Sequence, residues 1–218
     1  NDVRVASEIA TWMPGYKELS VGNHLFMTIQ WMLSSFANEG KAFFIAIWAA
    51  GFLLLVKSKK AKVYQSLAVV FSVVALLPYA GISFFSEMGI GYIDIEQCLT
   101  ELPTWQTMTT QNRIAFFWWI AAVLFTLVLL WKVTGHSVFI SMAFLGGIAS
   151  EAVLHFSPTI YASGARVYYL TDLMYLFIIL WMVMRMDSEK KKNLFIAGAA
   201  ALGIINFLSQ YSIMLLKL

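Results

Sequence analysis

Glu151, His155, Arg166 and Asp172 are the residues of this chain whose types and spacing could do chemistry. Glu151 and His155 stand at i and i+4, so a helix carries both on one face. Arg166 and Asp172 follow after the short connection Ser157-Pro158-Thr159-Ile160-Tyr161-Ala162-Ser163-Gly164-Ala165. A guanidinium grips a phosphate through two parallel hydrogen bonds. The group is a functional candidate because its ionisable residues lie within or at the ends of apolar blocks. Its structural alternative is mutual pairing that fixes two helices, with Arg166 snorkelling to an interface.

Other chemistries lack their motifs. The sequence has no CxxC, HExxH, GxGxxG or GxxxxGK[ST], and His24, His136 and His155 lie far apart. That disfavours a zinc site, a dinucleotide fold and a P-loop, so no cofactor is expected. A divalent cation at the loop acids Asp94 and Glu96 is the alternative, beside Glu87 and Glu101 in the same solvated segment. Cys98 is the single cysteine, which rules out an internal disulfide framework. A net charge of +3 does not suggest nucleic acid.

The elements that must hold these residues are set by hydropathy. Hydrophobic residues make up 60% of the chain and charged residues 12%, and mean hydropathy is +0.74. A soluble domain carries roughly twice that charge. The apolar residues fall in blocks of about twenty, the length that crosses some 30 Å of hydrocarbon as a helix, and Trp and Tyr gather near the block ends. Six blocks read as spans: 41–56, 64–84, 114–131, 138–156, 167–184 and 194–216. The first is short, and the last carries Asn206, Ser209 and Gln210. The expected fold is an all-α integral membrane protein with about six transmembrane helices. An amphipathic helix over 23–38, with Leu25, Ile29, Met32 and Phe36 on one face, is expected to lie in the outer interface. A seventh span there is the alternative. The domain reading is thus an external segment, 1–40, and a six-helix domain, 41–218.

Lys57, Lys59, Lys60 and Lys62 follow the first block, Lys132 the third, and Arg185, Lys190, Lys191 and Lys192 the fifth. These three connections hold nine of the fifteen basic residues and two acids, Asp187 and Glu189. Positive-inside puts them in the cytoplasm and both termini on the non-cytoplasmic side. Glu151, His155, Arg166 and Asp172 then reach a similar depth in the outer leaflet. A carboxylate in hydrocarbon costs roughly 2.5–3.5 kcal/mol, so it faces protein or a wet cavity. Pro78 is expected to kink the second span, and Gly146-Gly147 to permit close helix packing. Asn206, Ser209 and Gln210 are expected to bond between helices, with Gln210 adding polarity to the cavity.

Two stretches resemble a known family. The opening Asn1-Asp2-Val3-Arg4, running to Trp12-Met13-Pro14, and the later His155-Phe156-Ser157-Pro158-Thr159-Ile160-Tyr161-Ala162-Ser163-Gly164-Ala165-Arg166 are similar to segments of the DUF6056 and Gtr-type group. Those are large bacterial polytopic proteins of the GT-C glycosyltransferase type. The resemblance covers most of this chain and the C-terminal half of the family's usual length, so the chain is expected to be part of a larger protein. It implies transfer of a sugar from a polyprenyl-phosphate donor to a cell-envelope glycan or lipid acceptor on the outer face of the cell membrane. Arg4 and Arg166 would hold the donor phosphate, with Asn1, His155, Tyr161 and Gln210 lining the cavity. The acidic residue that GT-C enzymes carry in their first outer loop has no counterpart here. Its role would pass to Glu151 or Asp172, or lie upstream. Competing functions are a transporter or lipid flippase, and a non-catalytic scaffold serving a partner membrane subunit.

Overall fold

A computed structural model describes residues 6, 7, 9, 10, 15–77, 105, 106, 110–156 and 168–216, the side chains of 38, 39, 111, 112 and 209–216 excepted. Among the described residues there are helices and turns and no strand. The α-helices are α1 (Val21–Ser35), α2 (Lys41–Leu55), α3 (Lys62–Leu76), α4 (Thr110–Val133), α5 (Val138–His155), α6 (Tyr169–Met184) and α7 (Glu189–Leu216).

The first two are one continuous rod. Ser20 caps α1 by accepting a hydrogen bond from the Asn23 amide at 3.2 Å, a serine cap of the usual kind. At its other end a π-helical turn, Phe36–Gly40, runs into α2 with right-handed helical dihedrals at Ser35, Phe36, Gly40 and Lys41. The combined helix reaches roughly 50 Å. The short block of the sequence is therefore the second half of a long helix. Where an interfacial helix was expected, the polar Thr28, Gln30 and Ser34 of α1 are buried together with Met27, Trp31 and Leu33. α5 and α4 pack on α1.

α2 is the hub, packed by α3, α4, α6 and α7. Its Phe44 has no exposed surface and meets Phe36, Trp48, Trp119, Phe144 and Tyr175 at ring-centroid distances of 5.2–6.1 Å. That spacing is in the attractive range for tilted and edge-on rings. Gly51 lets α4 close on α2, because a Cβ there would stand 2.7 Å from Leu129 Cδ2. Nearby, Trp48 Nε1 donates to the Thr126 hydroxyl at 2.8 Å, and that hydroxyl donates to the Ala122 carbonyl at 2.7 Å. A buried polar pair is thereby satisfied.

Two turns meet at one end of the bundle. Gln65 Nε2 donates to the carbonyls of Leu55 (2.7 Å) and Ser58 (3.0 Å), closing the α2–α3 turn over carbonyls that a helix end leaves unpaired. Lys57 reaches Asp187 in the α6–α7 turn at 2.7 Å, and Lys191 reaches the same carboxylate at 2.9 Å. These cations hold the Asp187 carboxyl well below the usual carboxylate range, the Lys191 hydrogen bond contributing most and the Lys57 bond next. The basic loops after α2 and α6 thus share an end. Gly135 and His136, both at positive φ, make the turn between α4 and α5.

Among the described residues, three helices are long and apolar enough to cross a membrane: Arg113–Val133, Val138–His155 and Glu189–Leu208. Lys41–Leu55 and Tyr169–Met184 are shorter apolar helices. The outward faces are themselves apolar. Phe139, Val153, Leu180, Ile204 and Phe207 are each more than half exposed. Water would not favour so much contiguous apolar surface, whereas lipid does. Pro78 and the loop acids Glu87, Asp94, Glu96 and Glu101 lie outside the described residues.

Candidate functional site

The site stands where α5 ends and α6 begins. Glu151 and His155 project from one face of α5 and are 2% and 5% exposed. His155 Nε2 lies 3.9 Å from Glu151 Oε1, within ion-pair range if the imidazole is protonated but too long for a hydrogen bond. The same nitrogen is 3.3 Å from the Tyr168 hydroxyl, one residue before α6, and the two rings are 5.5 Å apart. Asp172 is half-buried on the first turn of α6. It lies within electrostatic reach of Glu151, as does Tyr175 one turn on.

Local packing explains why these groups converge. The Thr171 hydroxyl donates to the Gly147 carbonyl at 3.2 Å and pins α6 to α5. Gly147 makes that approach possible, because a Cβ there would meet Tyr175 Cε1 at 3.1 Å. Gly146 does no such work, since a Cβ would find nothing within 4 Å. Of the glycine pair read as a packing site, one member packs and the other faces outward.

The Tyr175 hydroxyl and His155 Nδ1 are buried and find no hydrogen-bond partner among the described residues. Thr28 Oγ1 and Gln30 Oε1 on α1 are in the same condition. Leaving such an atom unsatisfied costs about 1–3 kcal/mol, so sites of this kind are where water or a ligand group bonds. The π-helical turn Phe36–Gly40 runs past here, with Phe36 and Phe43 at 6.4 and 6.1 Å from the Tyr175 ring. Single π turns inside α-helices recur at functional sites. No family model matches this chain, and no curated protein or solved structure matches it.

An N-terminal turn closes the end of α5. The Tyr16 hydroxyl donates to the Phe156 carbonyl at 2.6 Å. His24 Nε2 donates to the Tyr16 carbonyl at 3.0 Å, with the two rings edge to face at 4.4 Å. Burial pushes the Tyr16 phenol up from its ordinary value, which keeps it a donor.

Of the residues proposed from sequence, the structure brings Glu151, His155 and Asp172 together. Asn1, Arg4, Tyr161 and Arg166 lie outside the described residues, as does the side chain of Gln210 and that of Ser209. Asn206 is half-buried on α7. Sequence reasoning missed Tyr168, Tyr175, Tyr16 and His24. Tyr168 and Tyr175 stand at helical spacing from Asp172, which is the one signal that could have singled them out. Among the described residues no group of His, Cys, Asp and Glu could hold a metal ion.

Proposed function

We propose that this chain belongs to a multi-pass membrane protein that transfers a sugar from a polyprenyl-phosphate donor to a cell-envelope glycan or lipid on the outer face. What carries the reading is the buried Glu151–His155 pair, joined to Tyr168 and beside Asp172, one connection away from Arg166. The resemblance of 155–166 to the Ser-Pro-Thr…Arg loop of GT-C-type proteins supplies the substrate class. Glu151 takes the proton of an acceptor hydroxyl as its oxygen attacks the sugar C1, with Asp172 the other carboxylate available for that role. The bond from C1 to the lipid phosphate breaks, and Arg166 and Arg4 hold the charge that gathers on the departing phosphate. His155 sets the position of Glu151.

About six spans carry this site, with the basic loops after α2, α4 and α6 in the cytoplasm and both termini outside. The shared end of the α2–α3 and α6–α7 turns supports that alternation. Lipid, donor and acceptor are the partners, with a further membrane subunit possible for the acidic residue that GT-C enzymes carry upstream.

The test is transfer from a short-chain polyprenyl-phosphate sugar by membranes containing the full reading frame. Arg166→Lys and Glu151→Gln should each lower turnover at least about a hundredfold, the usual span for a general base or a charge-stabilising donor. Undiminished transfer by either variant, with normal insertion, removes that residue from the mechanism. One feature favours a second reading, transport or lipid flipping: three buried polar residues, Thr28, Gln30 and Ser34, on a helix interrupted by a π turn. Saturable uptake or lipid scrambling in proteoliposomes, without transfer, would select it.

A further inference from the structure

α2, α3 and α7 enclose a groove of about 420 Å³. Its floor is Ile45, Trp48, Ala49 and Phe52 of α2. Its walls are kept low by small side chains, Ala68 and Ser72 on α3 and Gly198 and Ala199 on α7. The indole N–H of Trp48 is spent on Thr126, so Ser72 is the one lining residue with a polar side chain to offer. A polar occupant would find almost nothing to bond. Along α7 the lining runs from Leu194 to Leu202, about 12 Å of helix. That is the shape of one extended hydrocarbon chain.

The rim near the basic end selects the kind of chain. Leu53 lies four residues before Lys57, Ala68 six after Lys62, and Leu194 four after Lys190. The groove therefore stops about 6–9 Å short of the lysines, the separation between a lipid headgroup and its first acyl methylenes. Asp187 is engaged by Lys57 and Lys191, and Glu189 by Lys192 at 2.7 Å. Lys59, Lys60, Lys62 and Lys190 are exposed around the rim, and none of them makes an ion pair within this cluster. Apolar contact alone does not draw a chain out of a bilayer, because lipid tails are as apolar as the groove. Charge does: clustered lysines beside a span attract anionic headgroups.

We infer that this groove binds one acyl chain of an anionic glycerophospholipid whose headgroup phosphate sits among Lys59, Lys60, Lys62 and Lys190. The inference rests on the membrane-spanning part of the proposal above and not on sugar transfer. Its lysines flank the α2–α3 and α6–α7 turns, whereas Glu151 and His155 stand where α5 ends and α6 begins.

Native mass spectrometry of the full-length protein, delipidated and then titrated with mixed micelles of phosphatidylglycerol or phosphatidylcholine, tests it. One phosphatidylglycerol per chain should bind about tenfold more tightly than phosphatidylcholine, and the preference should fade in high salt. Replacing the four lysines by Gln should abolish the preference while leaving the fold intact. Gly198→Leu fills the groove at a position where a Cβ meets nothing within 4 Å, and should displace the lipid; Gly203→Leu, equally open, should not. Equal affinity for the two lipids, or full occupancy in Gly198→Leu, overturns the inference. So does a dimer that Gly198→Leu converts to monomer, which would make a second copy the occupant. Loss of sugar transfer has no bearing on any of these readings.

Discussion

At the scale of single residues, position in the packing decides what a side chain is worth. Gly146 and Gly147 are chemically identical neighbours with opposite roles. Gly147→Val should destabilise by about 1–3 kcal/mol, because it drives methyls into the Tyr175 ring and loosens the Thr171 bond. Gly146→Ala should raise stability by up to about 1 kcal/mol through helix propensity alone. Thermal unfolding of both variants in one detergent gives the comparison, and equal effects would mean α5 and α6 do not meet as described.

Asp187 gives a second residue-scale expectation. Its carboxyl is held low by Lys191 and Lys57, so the folded state binds fewer protons there than the unfolded chain. The stabilising contribution is complete above the unfolded value, about 3.9, and is lost as pH falls from there through the folded value. Asp187→Asn should therefore lower the melting temperature at neutral pH. The gap to the natural chain should close below about pH 4. A gap that stays constant down to pH 3 would place the effect elsewhere than in the ion pairs.

At the scale of elements, the π turn Phe36–Gly40 sets the register between α1 and α2. It inserts one residue relative to an α-helical path, which turns α1 by about 100° about its axis. That turn brings Met27, Trp31 and Leu33 inward while α2 keeps Phe44 and Trp48 in the hub. Deleting Ala37 should let the rod run as a plain α-helix and rotate α1 out of its contacts with α4 and α5. The expected result is rapid proteolysis between Tyr16 and Gly40 with α2 to α7 still protected. Unchanged protection of that segment would show that α1 docks without the π register.

At the scale of the whole molecule, the proposal makes a prediction about sides. In a Cys98→Ser background, Lys60→Cys, His136→Cys and Lys190→Cys should all react with an impermeant thiol reagent from the cytoplasmic side, and Phe156→Cys from the outside. Labelling intact cells and inverted vesicles reads this directly. Reaction of His136→Cys from the outside would break the alternation, since Lys60 and Lys190 share an end through the Lys57–Asp187 pair.

Much of this architecture is legible in the sequence, because it depends on solvent. Blocks of apolar residues too long and too uncharged for a water-soluble core must become helices whose backbone bonds to itself, and the chain is indeed all-helical among the described residues. The convergence of Glu151, His155 and Asp172 is legible for a related reason: two come from i,i+4 spacing on one helix, and a short connection returns the chain to the same depth. Composition could not reveal which faces meet. The mean hydropathy of α1 does not show that its polar Thr28, Gln30 and Ser34 turn inward, since that depends on the π register and on α5 lying opposite. Tyr168 and Tyr175 join the site only through the Gly147 contact, and Gly51 matters only because Leu129 stands across from it. Periodicity and solvent act within one segment and can be read along it. Pairing between helices is set by side-chain shape across an interface, and only the packed structure decides it.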